Sequence, residues 1–79
     1  MREKRWSMTY EDVIRDAKQA GIVISDNSFT GFTEMTYNGK CLAWYHHVSG
    51  KQWKAYNGKE SFMGTKAKVA DWAFSQIDN

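Results

Sequence analysis

The tetrapeptide Tyr-Asn-Gly-Lys occurs twice in this chain, at residues 37–40 and 56–59, with Ser49-Gly50-Lys51 between the copies. Asn-Gly between runs of alternating residues demands a tight hairpin, because both central positions of a type I′ turn need positive φ, which Asn and Gly tolerate best. Two-residue turns at 38–39, 49–50 and 57–58 cut the middle of the chain into four antiparallel strands, about 30–37, 40–48, 51–56 and 59–63. The turns set the register: Met35 faces Leu42, Thr33 faces Trp44, Trp44 faces Ala55, His46 faces Trp53, and Trp53 faces Phe62. Met35, Leu42, Trp44, Trp53, Ala55 and Phe62 then form the expected buried side of a meander. Phe32, Glu34, Thr36, Cys41, Ala43, Tyr45, His47, Gln52, Lys54, Tyr56 and Ser61 fall on the other side.

The flanks change period. Thr9-Tyr10-Glu11-Asp12 has the form of a capping box, Val13, Ile14 and Ala17 recur at helical spacing, and Gly21 can close the helix. Ile22 to Ile24 is a short apolar run, suited to an edge strand or a lid on the core, and residues 25–28 read as a loop. Thr65 caps a second helix with Val69, Ala73 and Ile77 on one stripe and Trp72 beside it. Lys66 and Lys68 sit in its first turn, where the helix dipole disfavours cations. The expected fold class is α+β: a four-stranded antiparallel meander flanked by an N-terminal and a C-terminal helix packed on one sheet face. Should helix 1 instead cover the opposite face, Phe32, Cys41, Ala43 and Tyr45 become core.

With 79 residues, one domain spanning 1–79 is expected, residues 1–8 being a flexible basic lead-in. A core for so short a chain must come from few, large side chains, and 15% of the residues are aromatic. The lone Cys41 excludes an intramolecular disulfide and an all-cysteine zinc site, which fits a reducing, cytoplasmic setting. No apolar run has the length of a signal peptide core or a membrane span. The net charge of +2 is unremarkable, but its distribution is not: residues 37–70 carry six lysines against Glu60 alone, whereas residues 9–36 carry five acids against Arg15 and Lys18.

Most site chemistries lack their residues. The Gly-Lys pairs end hairpins instead of opening a helix, so they do not make a phosphate loop. Adjacent strand residues point to opposite faces, so His46 and His47 cannot share an ion, and Cys41 lies roughly 20 Å along the strand from His47. None of the serines sits in a nucleophile-elbow context, and the sheet is short of paired carboxylates. A protein without catalytic residues, metal or cofactor is expected. What remains is a candidate surface on the outer sheet face, Tyr45, His47, Lys54 and Tyr56, with Lys59, Lys66 and Lys68 nearby: rings interleaved with lysines suit nucleic acid. The alternative is a protein contact through the acidic residues Glu11, Asp12 and Asp16.

The run Gln52-Trp53-Lys54-Ala55-Tyr56-Asn57-Gly58-Lys59, followed by Met63-Gly64-Thr65 and a helix, resembles the amino-terminal arm-binding domains of tyrosine integrases and the plant ethylene-response DNA-binding domains over residues 40–77. That resemblance implies a sheet face turned toward DNA; the strands here lack the arginines with which those families read bases. The helix-sheet-helix order with Gly64-Thr65-Lys66-Ala67-Lys68 is similar to a double-stranded-RNA-binding domain, but the tight turn at 38–39 leaves no long first hairpin loop. Small solitary domains with split charge also resemble phage and mobile-element accessory proteins that inhibit host defence, the anti-CRISPR proteins among them. The partners expected are therefore nucleic acid or a host protein complex, not a membrane, with exposed edge strands offering a route to a homodimer.

Overall fold

The computed structural model describes residues 9–78; the basic lead-in read over residues 1–8 lies outside them. Helix α1, Tyr10–Gln19, starts from a complete capping box. The Thr9 hydroxyl accepts from the Asp12 N–H at 3.2 Å and the Asp12 carboxylate accepts from the Thr9 N–H at 3.4 Å. It buries Val13 and Ala17, one turn apart on one face, and the chain leaves it through Gly21 at φ +94°. Strand β1, Val23–Asp26, follows directly and adds a fifth strand: it takes Val23 and Ile24 from the apolar run and Ser25 and Asp26 from the expected loop, while Ile22 ahead of it is buried in the core. Strands β2 (Thr33–Tyr37), β3 (Lys40–Ser49), β4 (Gln52–Tyr56) and β5 (Ser61–Gly64) complete one antiparallel sheet in sequence order. Helix α2, Lys66–Ser75, capped by Thr65, and a short 3-10 turn, Gln76–Asp78, end the described chain.

Both helices lie on one face of the sheet. The core beneath them joins Val13 and Ala17 of α1, Met35, Ala43, Tyr45 and Ala55 of the sheet, and Val69, Ala70, Ala73 and Phe74 of α2. Alanines on α2 meet alanines on β3 and β4, which lets helix and sheet approach closely; larger rings close the edges, Phe62 packing near-parallel to Trp72 at 5.9 Å.

The register differs from the one expected, and the differences decide which residues face out. The Asn38-Gly39 turn forms as read, with φ +52° and +78°, and pairs Tyr37 with Lys40. A bulge at Leu42 then moves the pairing by one residue, so that Met35 faces Ala43 and Glu34 faces Trp44. The second turn uses Gly50 and Lys51 instead of Ser49 and Gly50. Gly50 stands at φ +54° in the first central position, Ser49 pairs with Gln52, and Val48 bulges so that His47 faces Trp53. The third corner is a loop of four residues, 57–60: the Asn57 side-chain oxygen accepts from the N–H groups of Lys59 (2.9 Å) and Glu60 (2.7 Å), and Tyr56 pairs with Ser61. An odd shift turns a strand over, and an even one does not. Residues 43–47 of β3 are therefore inverted relative to expectation, Tyr45 inward and Trp44 outward, whereas Trp53, Ala55 and Phe62 keep the inward side.

A buried polar contact ties α1 to this arrangement. The hydroxyls of Tyr10 and Tyr45 are 2.7 Å apart, with the rings edge to face. The Lys66 ammonium lies 4.1 Å from the Tyr10 ring and 5.0 Å from the Trp53 ring, which offsets its unfavourable place at the start of α2. Burial pushes the Tyr45 hydroxyl far above the ordinary tyrosine range, and its bond to Tyr10 adds to the rise; burial raises Tyr10 as well. Unfolding releases both to ordinary ionisation near pH 10. The unfolded chain thus holds fewer protons than the native one above that pH, and stability falls as pH rises through it. The urea midpoint of the wild type should hold from neutrality to about pH 9 and drop beyond about pH 10. Tyr45→Phe should cost about 1 kcal/mol at neutral pH by stranding the Tyr10 hydroxyl, and should fall less steeply in alkali. Parallel alkaline falls in the two proteins would show that the pair carries none of the dependence.

Candidate nucleic-acid interface

Among the described residues, no element packs on the sheet face opposite the helices. The inversion of β3 populates that face with rings. Phe32 meets His46 edge to face at 4.7 Å, His46 lies near-parallel to Tyr56 at 5.9 Å, and Tyr56 lies near-parallel to Trp44 at 6.1 Å. These four rings make a continuous strip across the entry to β2, β3 and β4, each half-buried by its neighbours. Lys54, opposite His46 across β3 and β4, sets its ammonium 5.1 Å from the Tyr56 ring. Met63 and Val23 extend the apolar surface toward the two sheet edges, and Glu34, opposite Trp44, is the acid within it.

Of the residues expected on this surface, Lys54 and Tyr56 stand together on it. Tyr45 does not: it is wholly buried under the helices, because the Leu42 bulge rotates it inward. His47 lies on the helix side of the sheet margin, its ring 5.3 Å from Trp53 and its Nε2 donating to the Gly50 carbonyl at 2.8 Å. Lys59 belongs to the loop at one end of the ring strip. Lys66 is engaged by Tyr10 and Trp53, and Lys68 packs its stem beside Gly64, so both belong to the helical layer. Trp44, expected in the core, and His46, which the expected register sets opposite Trp53 on the inward side, are two of the four outward rings. No local signal marks them, because residues 43–47 alternate in either phase and the bulges at Leu42 and Val48 that choose between the phases depend on packing under the helices.

On α1, Asp12 and Asp16 lie one turn apart and Glu11 stands exposed to one side of them, but Arg15 bridges Asp12 at 3.2 Å and Asp16 at 3.8 Å, and Asp12 also serves the cap. Arg15 therefore offsets part of the charge this surface would offer a basic partner. Among the described residues no three His, Cys, Asp or Glu side chains gather as a metal-ligand set, and His46 and His47 point to opposite faces. No described helix is long and apolar enough to cross a membrane. One further apolar group stands clear of the fold. Phe29 is fully exposed at the tip of a loop that Asn27 holds, its side chain accepting from the N–H groups of Phe29 and Thr30 and its backbone bonding Gly31 and Phe32.

No protein-family model, curated protein or solved structure matches the chain. The functional reading therefore rests on this geometry.

The facing of β3 can be tested without any ligand. Ala43→Lys places a charge in the closed core and should abolish the cooperative thermal transition, whereas Trp44→Lys should keep it at a cost of about 1 kcal/mol from lost cross-strand ring contacts. A folded Ala43→Lys beside an unfolded Trp44→Lys would restore the register without bulges.

Proposed function

We propose that this protein is a non-enzymatic module that binds single-stranded nucleic acid on the open sheet face. The observation that carries the reading is the strip Phe32, His46, Tyr56 and Trp44, with Lys54 beside it, on a sheet face that no other described element covers. Unpaired bases stack on aromatic side chains with little regard to sequence, and a lysine beside the ring supplies the phosphate contact that the stacked base requires. Duplex bases are already stacked on one another and offer a flat strip nothing to hold, and the outward residues here are rings where major-groove readers place arginine. Charge supports the same partner: Lys40 at the start of β3, Lys54 on β4 and Lys59 in the loop after β4 stand against Glu34 and Glu60.

Fluorescence anisotropy with oligothymidylate and with a duplex of equal length tests the proposal. The single strand should bind at least about tenfold more tightly, and Trp44→Ala and Tyr56→Ala should each weaken it by about fivefold or more, from roughly 1–3 kcal/mol per stacked base. The salt slope should be no steeper than about −2, since single strands release roughly 0.7 counterion per phosphate and three lysines border the strip. Equal affinity for the duplex, or ring variants that bind as the wild type does, would contradict the reading.

A further inference from the structure

The two Tyr-Asn-Gly-Lys copies build different corners at the same end of the sheet, and they deliver their lysines to one place. The first copy makes the two-residue turn that starts β3 at Lys40. The second makes the four-residue loop whose Asn57 side chain holds the Lys59 and Glu60 backbone and donates to the buried Gln76 at 2.8 Å. Lys40, Asn57, Lys59, Glu60 and Gln76 line a cleft of about 450 Å³ at this end of the sheet. A second recess, on the ring side, is walled by Trp44 and Tyr56 and shares Lys59 and Glu60 with the first. The second loop is thus the partition between a recess walled by rings and a cleft lined by two lysines.

We infer that this corner is a phosphate subsite, in which Lys40 and Lys59 hold a backbone phosphate of the nucleotide whose base lies against Trp44 and Tyr56. The inference rests on the single-strand reading above and deepens it by naming where the strand's charge is met. Two features fit a phosphate. Both lysines follow corners fixed by backbone geometry, so little freedom is lost on binding beyond the side chains themselves. Their charge also outweighs that of Glu60, the one acid in the cleft. Glu60 works against an anion from the same position, which gives the inference a test of opposite sign: removing its charge should tighten binding.

The experiment is a titration of oligothymidylate against Lys40→Ala, Lys59→Ala, Glu60→Gln and Lys51→Ala at several salt concentrations from about 50 mM upward. Lys51, in the turn at the other end of the sheet, is the control. Lys40→Ala and Lys59→Ala should each weaken binding about threefold to fivefold and reduce the slope by about 0.7, Glu60→Gln should tighten it by about twofold, and Lys51→Ala should change it by less than about twofold. A misfolded variant cannot imitate the gain at Glu60. Equal losses at Lys51 and at the corner, or no gain from Glu60→Gln, overturn the subsite while leaving the ring strip to stand on Trp44→Ala and Tyr56→Ala. Selective loss at the corner with no effect of the ring variants keeps the phosphate subsite and overturns the stacking face. Failure of the wild type to bind the oligonucleotide overturns both.

Discussion

Strand β3 can turn either Tyr45 or Trp44 under the helices, and the hydroxyl contact between Tyr45 and Tyr10 fits only one choice. With Tyr45 inward its hydroxyl finds a partner on α1 at 2.7 Å, its ring packs on Trp53, and Ala43, two residues back, leaves room for the alanines of α2. With Trp44 inward, an indole would occupy the space in which helix and sheet meet through methyl groups, and β3 would offer Tyr10 no hydroxyl at that position. Losing a part-buried hydrogen bond of this kind costs about 1 kcal/mol, a noticeable share of what a core this small can supply. The bulges at Leu42 and Val48 are the backbone's accommodation of that preference: each gives up one pairing position, and together they invert the centre of one strand without disturbing its neighbours.

The open face follows from the same preference. Once Ala43 and Tyr45 are committed inward, Trp44 and His46 must point outward, where Phe32 and Tyr56 already lie. Four rings then support one another on a surface that contributes nothing to the core beneath the helices. Large apolar groups that do not serve the core are usual where a partner is to be met.

How much of this could be read from the residues depends on the kind of signal. Capping at Thr9 and Thr65, the helix exit at Gly21 and the Asn38-Gly39 turn are local, each enforced by a few neighbouring atoms, and they appear where the residues place them. The second Asn-Gly is instructive because the same dipeptide makes a different corner: Asn57 spends its side chain on the Lys59 and Glu60 amides and on Gln76, a residue 19 positions away that no local rule foresees. Bulges are likewise settled by tertiary packing. Residues 43–47 alternate equally well in either phase, so the choice between Tyr45 and Trp44 waits on α1 and α2. Lys54 and Tyr56 were legible on the candidate surface because β4 keeps its expected facing. Tyr45 and His47 changed sides with β3, and Trp44 and His46 replaced them.

Three layers of the molecule thus have separate work: helices that close the core, a sheet whose central strand is phased by one tyrosine pair, and an outer surface of rings bordered by lysines. The central claim is that this outer surface meets unpaired bases. An NMR titration with a short single-stranded oligonucleotide addresses it residue by residue. The account predicts that the Trp44 indole N–H and the signals of His46, Lys54 and Tyr56 move together and saturate, while those of Val13, Ala17 and Ala73 stay fixed. Shifts confined to α1, or a spectrum that does not change at low salt, would contradict it.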